Sequence, residues 1–274
     1  MTLLLKLLLA PLLVAGSTLA GRRWGPPVAG VLVALPIVAG PILLITCLEH
    51  GPRFGAQAAA SSLLGLVSLA LFIVVFGHAA RRLRWPGALA VSWAACLAAD
   101  AALTQVSLPP YVSFALVLVS VWLAARALPR AEPGPAPSAA RPPWWDLPAR
   151  AVATGALVLV VTGAASAIGP AATGVLAPFP IATSVVAAFA LARDGAPGAV
   201  RMLRGVPGGL VGFAVFCLMV ALLVPRLGTY PAFGAALAVN LAVQAVALRA
   251  VRTRRPAGPA ASPEHQTFTR AAPS

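Results

Sequence analysis

Apolar stretches long enough to cross a lipid bilayer recur along nearly the whole chain. A helix of about 20 apolar residues spans the hydrocarbon core of a membrane. Only 9% of the 274 residues are charged and 60% are hydrophobic, whereas a soluble domain carries roughly 25% charged residues. Because the stretches are continuously apolar rather than alternating, helices are the spanning form. The sequence therefore predicts an all-α fold, a polytopic helical membrane protein whose first partner is the lipid bilayer.

Nine membrane-spanning helices are predicted. The spans are residues 2–20, 27–48, 56–77, 87–106, 110–127, 150–168, 170–192, 206–225 and 229–248. Residues 1–130 form a first transmembrane repeat plus an extra fifth span, and residues 150–249 form a second repeat. Residues 131–149 are rich in proline and are predicted to be an extended cytoplasmic linker, in which Trp144 and Trp145 rest at the level of the lipid head groups. Residues 250–274 are predicted to be a disordered cytoplasmic tail.

Basic residues are distributed unevenly between the two sides of this nine-span arrangement. With the N-terminus outside, seventeen arginines fall on the inner side, and Lys6, Arg53 and Arg226 fall on the outer side. Basic residues concentrate in the cytoplasmic loops of membrane proteins. We therefore expect a multi-pass protein of a bacterial inner (plasma) membrane with a cytoplasmic C-terminus. The net charge of +14 is not gathered into a patch with interleaved aromatics, which argues against a nucleic-acid partner.

An internal repeat relates the two halves at a constant offset of 144 residues. Residues 25–37 (GPPVAGVLVALPI) share seven of thirteen positions with residues 169–181 (GPAATGVLAPFPI). Across residues 25–80 and 169–224, 13 of 56 positions are identical. Each unit has four spans and a fifth span separates the two units, so the second unit enters the membrane from the opposite face. The sequence predicts repeats of inverted topology, an arrangement found in many secondary transporters.

The core of this repeat, clearest in residues 173–181 (TGVLAPFPI), resembles the GlpM-type small four-span membrane proteins, whose unit would be present here twice. The five-plus-four inverted plan is similar in architecture to the drug/metabolite transporter superfamily. These resemblances imply a fold of two inverted four-span units. The membrane-embedded Glu of the four-span multidrug members of that superfamily has no counterpart in the first span of this chain.

Prolines interrupt corresponding spans in the two halves. Pro36 and Pro180 lie 144 residues apart, and each removes a helix hydrogen bond near membrane depth. A freed carbonyl group is costly in lipid unless it faces protein or a water-filled cavity. The matched interruptions predict a central substrate-binding site, with proline kinks that only shape packing as the alternative. Gly40, Thr183 and Ser184 lie on the same stretches and are predicted to supply close backbone approach and hydroxyl contacts.

Three further polar residues are candidates for the substrate site. Asp100 lies inside an apolar span, where an ionisable group is expensive and is a functional candidate by default. The alternative is an interfacial residue that forms hydrogen bonds near Thr104 and Gln105. Asn240 and Gln244 lie one turn apart on the ninth span, either as part of this site or as polar contacts between helices.

Signatures of enzymes, metals and cofactors are missing from the sequence. It contains no HExxH motif, phosphate-binding glycine loop or nucleophile elbow. Its three cysteines lie in apolar stretches, away from any Cys or His at ligand spacing. We therefore predict no enzymatic activity, no cofactor and no metal site.

The Ala-rich fourth and ninth spans are predicted to pack at the centre or to form a homodimer face, since small residues allow close helix contact. Two functions fit the sequence. The first is a secondary transporter or exporter of a small molecule, favoured by the inverted repeat. The second is a non-transporting membrane component that assembles with or partners another machine, favoured by the scarcity of buried polar groups.

Overall fold

The computed structural model describes residues 2–36, 39–106, 108–130, 143–168 and 179–253, and these ranges are almost entirely helical. In chain order the helices are α1 Thr2–Trp24, α2 Pro26–Val33, α3 Ala39–His50, α4 Pro52–Ala79, α5 Trp85–Leu103, α6 Pro110–Ala127, α7 Asp146–Ile168, α8 Ile181–Leu203, α9 Val206–Leu227 and α10 Thr229–Thr253. The described ranges contain no strand. The prediction of an all-α fold is confirmed.

Within the described ranges, α4, α5, α6, α9 and α10 are long and apolar enough to cross a membrane. The fifth predicted span has the same bounds as α6, and the second is divided into α2 and α3. Two boundaries differ from the prediction. Helix α7 begins at Asp146, whose carboxylate is favourable in the first turn of a helix. Helix α8 extends to Leu203 as two helical segments that meet at a kink, where Gly195 adopts a non-helical conformation with a positive φ of 66°. The predicted linker and tail lie largely outside the described residues.

Helices α4 and α9 form the centre of the bundle. The largest enclosed side chains include Phe72 and Phe76 of α4 and Leu210 of α9. Helices α5 and α6 pack on α4, and α10 packs on α9. The Ala-rich helices α5 and α10 pack against α4 and α9 rather than forming the centre themselves, and the alternative of a homodimer face stays a prediction. In α5 and α10 only one face is buried, and alanines such as Ala98 and Ala242 are exposed on the other, because alanine also suits a lipid-facing surface.

Helix α2 crosses the second half of the chain at backbone contact distance. A Cβ atom placed on Gly30 would overlap the carbonyl oxygen of Met202, and one placed on Gly205 would overlap the carbonyl oxygen of Pro27. A Cβ atom on Gly209 would also overlap the backbone of α2. Glycine allows helices to approach this closely because it has no side chain. This crossing joins the start of the chain to the junction between α8 and α9.

Two helix pairs that are related by 144 residues pack in opposite directions. Helix α7 begins and ends 144 residues after α1, and Arg22 near the end of α1 contacts Asp146 at the start of α7. Helices α4 and α9 pack side by side. Gly77, near the end of α4, lies beside Leu203, just before α9 begins. In both pairs the end of the first helix meets the start of the second.

Candidate substrate cavity and buried polar groups

A cavity of about 840 Å³ lies among α5, α7 and α8. Small-molecule sites in proteins have volumes of about 300–1,000 Å³. The lining is mostly apolar and aromatic, with charged groups at one end: Trp85, Leu89, Trp93, Pro143, Trp145, Asp146, Ala153, Ala156, Leu157, Val160, Ser184, Val185, Ala188, Phe189, Ala192 and Arg193. The size and the apolar lining fall within the range that small-molecule sites have.

One end of the cavity lies beside Phe179 and Pro180, the non-helical residues that precede α8, and we call such a non-helical entry a helix break. The Ser184 amide donates a hydrogen bond to the Pro180 carbonyl oxygen at 2.8 Å. The Trp93 indole Nε1 donates to the Ser184 hydroxyl oxygen at 2.9 Å, and the Trp93 ring lies 5.5 Å from the Phe179 ring. Ser184 is nine residues from Arg193 on α8, or about 13 Å along a helix that rises 1.5 Å per residue. We call the Ser184 end the deep end of the cavity.

The other end, which we call the mouth, is a cluster of charged side chains around Asp146. This residue is only 3% exposed. Its carboxylate accepts hydrogen bonds from Arg22 Nη2 at 2.5 Å and from Arg150 Nε at 3.0 Å, and Arg193 Nη1 lies 3.9 Å away. Burial opposes ionisation of Asp146, but the hydrogen bonds and charges of Arg150 and Arg22 outweigh it and hold its pKa below the ordinary value. The Arg150 guanidinium also stacks over the Phe189 ring at 4.7 Å.

Asp100 is buried between α4 and α5 and is 4% exposed. The Ser68 hydroxyl donates a hydrogen bond to one carboxylate oxygen, and the Cys96 thiol lies 3.8 Å from the other. The side chain therefore faces α4, whereas the interfacial alternative placed its hydrogen bonds near Thr104 and Gln105. Its partners are Ser68 on α4 and Cys96 on its own helix α5.

Asn240 and Gln244 face α9 from α10 and are both buried. Gln244 Nε2 donates a hydrogen bond to the Gly209 carbonyl oxygen at 2.9 Å. A Cβ atom placed on Gly212 would lie 2.5 Å from that Nε2 and 2.9 Å from Asn240 Oδ1. Among the described residues, Asn240 Oδ1 and Gln244 Oε1 have no hydrogen-bond donor. These two amides join α10 to α9 at a place where glycine leaves room for them.

The break before α3 resembles the break before α8. The Gly40 amide donates to the Pro36 carbonyl oxygen at 2.7 Å, as the Ser184 amide donates to Pro180. Gly40 faces the Phe216 ring of α9, since a Cβ atom placed on it would lie 3.5 Å from Cζ. The buried Thr183 lies beside Ser184 in the first turn of α8. The eight predicted site residues thus lie at four places, and of these residues Ser184 lines the cavity.

Buried polar groups in the two halves occupy corresponding positions. Adding 144 to Gly65, Ser68, Cys96 and Asp100 gives Gly209, Gly212, Asn240 and Gln244. In both halves the outer helix presents two buried polar side chains, one turn apart, to a central helix. The constant offset of 144 residues therefore continues without a gap beyond residues 80 and 224 into α5 and α10.

The charged mouth of the cavity was missed from the sequence. Asp146 and Arg150 are spaced i,i+4, a common spacing for an ion pair on a helix, and this signal was available. The contact from Arg22 could not be predicted in this way, because Arg22 lies 124 residues before Asp146 in the sequence. Trp93 likewise gave no local sign that it would contact Ser184.

Comparison of the chain with protein-family models, with curated proteins and with solved structures gave no match. The functional assignment therefore depends on the geometry of the cavity and on the relation between the two halves.

Proposed function

We propose that the protein is a secondary transporter or exporter of a small molecule, built from two inverted repeats that begin at α1 and α7. The observation that supports this most is the pairing of helices 144 residues apart in opposite directions, α1 with α7 and α4 with α9. Helices related in this way are expected of repeats that enter the membrane from opposite faces. The same plan is implied by the resemblance to the GlpM-type proteins and to the drug/metabolite transporter superfamily.

The pattern of burial also supports the duplication. Twelve of the thirteen buried residues of α4 have a buried residue 144 positions later, and the thirteenth, Leu69, corresponds to the half-buried Phe213. In α5, four of the five buried residues have buried counterparts in α10. Burial depends on which face of a helix meets its neighbours. A shared pattern along two helices therefore favours a shared packing scheme.

The cavity provides a place for a substrate. It lies against the broken entry into α8, where Pro180 precedes Ser184, and the corresponding break in the first half holds Pro36 and Gly40. Transporters of inverted topology bind substrates at interrupted helices near the membrane midplane. We propose that the breaks before α3 and α8 are such interruptions, and that the substrate enters from the charged mouth.

For the orientation we propose an external N-terminus and a cytoplasmic C-terminus. Arg22, Arg150 and Arg193 meet at the mouth of the cavity, and the predicted inner side contains all three. A reporter that is active only in the cytoplasm should give signal when fused after Ser274 and no signal when fused before Met1. Signal from both fusions would require an even number of spans and would remove the inversion.

Paired cysteine accessibility tests the transporter proposal. Ala188 lines the cavity, and its counterpart in the first half is Leu44. In a background that carries Cys47→Ala, Cys96→Ser and Cys217→Ala, Ala188→Cys should react with a membrane-impermeant thiol reagent from the cytoplasmic side and Leu44→Cys from the outside. A condition that increases one reaction should decrease the other, because the two sites open alternately.

Ala98→Cys on the exposed face of α5 is the matched control, and it should react from neither side because it faces lipid. Reaction of Ala188→Cys and Leu44→Cys from the same side would contradict inverted repeats. Lack of reaction at both positions would contradict transport. It would favour the non-transporting membrane component instead.

A further inference from the structure

We infer that the cavity binds an amphipathic anion, a molecule with one acidic head group at the mouth and an apolar body that extends toward the deep end. As the substrate class of the transporter, this inference rests on the function proposed above. Binding can nevertheless be measured without transport. The inference is carried by the separation of apolar and charged surface within one cavity of about 840 Å³.

The walls between the two ends favour an apolar body. Leu157 and Val160 of α7 and Val185 and Ala188 of α8 line them, and Leu89 of α5 contributes from the opposite side. A sugar or another polyhydroxylated ligand would lose water there without gaining hydrogen bonds, which is costly for each polar group. An alkyl chain gains free energy for each methylene group that is removed from water. The walls therefore select for hydrocarbon.

The deep end also favours an apolar tail. Among the described lining residues, the polar side-chain atoms at this end are the Ser184 hydroxyl and the Trp93 indole nitrogen, and the two are hydrogen-bonded to each other. The Trp93 ring lines this end, and the Phe179 ring packs against it. The Trp93 N–H already donates to Ser184, so the described lining residues at this end offer a ligand the Ser184 hydroxyl and otherwise apolar surface, which suits a hydrocarbon end better than a polar one.

The mouth favours an anionic head group over a cationic one. Three guanidinium groups lie around Asp146, and the carboxylate already accepts hydrogen bonds from Arg22 and Arg150. A cationic ligand would have to compete with these arginines for the acceptor atoms. Arg193 lines the cavity itself, with carboxylate oxygens of Asp146 and Asp194 each 3.9 Å away, and a guanidinium group matches the geometry of a carboxylate or a phosphate. The head group is therefore placed at Arg193.

Tryptophan quenching by brominated amphiphiles tests this inference on the purified full-length protein in detergent. The variant Trp24→Phe/Trp122→Phe/Trp144→Phe retains the three tryptophans that line the cavity, Trp85, Trp93 and Trp145. Four probes share one dibrominated C18 chain and carry a carboxylate, a phosphate, a hydroxyl or an amine. We expect saturable quenching by the two acids, with dissociation constants at least about tenfold lower than that of the amine, since hydrogen bonds to charged groups contribute this much.

Arg193→Gln should weaken binding of both acids about tenfold or more and leave binding of the alcohol unchanged. Arg226→Gln, which removes the same charge from an exposed position at the end of α9, should change neither. Ala188→Leu should reduce binding of all four probes, because the added side chain occupies the cavity. Tighter binding of the phosphate would identify a lipid phosphate as the source, and tighter binding of the carboxylate would identify a free fatty acid.

Equal affinity for the acid and amine probes in the protein that retains Arg193 would overturn the inference, and this comparison needs no change at the mouth. Loss of affinity in Arg226→Gln equal to that in Arg193→Gln would overturn it as well. The two proposals can also fail separately. If the protein binds acids selectively but its paired cysteines show no alternating access, the ligand class is supported and the transporter proposal is refuted.

Discussion

The molecule buries two carboxylates to nearly the same extent and surrounds them differently. Asp146 lies at the start of α7, outside the predicted spans, among the guanidinium groups of Arg22, Arg150 and Arg193. Asp100 lies inside α5, where its partners are the Ser68 hydroxyl and the Cys96 thiol. In the described part of the chain, the Asp100 carboxylate has no ion pair.

This difference separates a structural carboxylate from a functional candidate. A buried charge that is paired and hydrogen-bonded holds together the groups around it, and removing one partner leaves the others uncompensated. A buried acid without a cation is expensive to retain in its charged form, so its presence is hard to explain by stability. Asp146 is thus expected to matter for folding and Asp100 for activity.

Asp146→Asn should give the largest loss of stability. The variant leaves the buried Arg150 guanidinium without a carboxylate, and breaking a buried ion pair costs about 3–5 kcal/mol. We expect a cost near the lower end of that range, about 3 kcal/mol, because water reaches the partly exposed Arg22. Denaturant unfolding in detergent micelles measures it. Asp194→Asn, at an exposed carboxylate near Arg193, is the control and should be nearly neutral; equal losses would remove the distinction.

The stability should also depend on pH through Asp146. Its pKa is lowered from the ordinary value of 3.8 in the folded protein, so the folded state retains the charged form at pH values where the unfolded chain takes up a proton. The stabilisation is therefore fully present above about pH 4 to 5 and is lost as the pH falls through the lowered pKa. Unfolding measured between pH 3 and pH 7 should show this decline in the wild-type protein. A similar decline in Asp146→Asn would assign the effect to other groups.

Ser68→Ala should have an intermediate effect. It removes the hydroxyl that donates to the buried Asp100 carboxylate, and an unsatisfied buried acceptor costs about 1–3 kcal/mol. Ser92→Ala is the matched control, since that buried hydroxyl bonds to the Ala88 carbonyl oxygen of its own helix. Ser68→Ala should cost less in an Asp100→Ala background, because the acceptor is gone. An equal cost in both backgrounds would show that the two side chains are not coupled.

Asp100→Asn should have the smallest effect on stability, below about 1 kcal/mol, because Asn keeps the volume and still accepts a hydrogen bond from Ser68. Its effect should appear in transport. The ratio of thiol labelling at Ala188→Cys to that at Leu44→Cys should vary with pH when Asp100 is present and should lose this dependence in the Asn variant. An unchanged pH response would leave Asp100 structural and would shift the balance toward the non-transporting component.

Local features of this fold could be predicted from the sequence. Pro36 and Pro180 precede helices as expected of residues that interrupt a span. Gly51 and Gly195 have positive φ angles at corresponding positions, and a side chain would be strained there. The burial of Asp100 also followed from its sequence context, because an acid inside an apolar span is driven away from lipid.

Features that depend on contacts across the chain could not be predicted. The pairing of Arg22 with Asp146 and the packing of Trp93 on Ser184 require knowledge of which helices are neighbours. Composition was misleading for the Ala-rich spans, since alanine occurs on both the buried and the exposed faces of α5 and α10. The location of the cavity could not be predicted from motifs or from composition, because an apolar wall has the same sequence pattern as a packed core.

The glycine crossing between α2 and the α8–α9 junction has a consequence for biosynthesis. Gly30 and Gly205 are 175 residues apart, and ribosomes add about 5–20 residues per second. The α8–α9 junction is therefore synthesised about 10–35 s after the glycine surface of α2 that it contacts. Throughout that interval a nascent chain already inserted in the membrane cannot close this contact. The crossing therefore forms late in assembly, and a chain that terminates before Gly205 cannot form it.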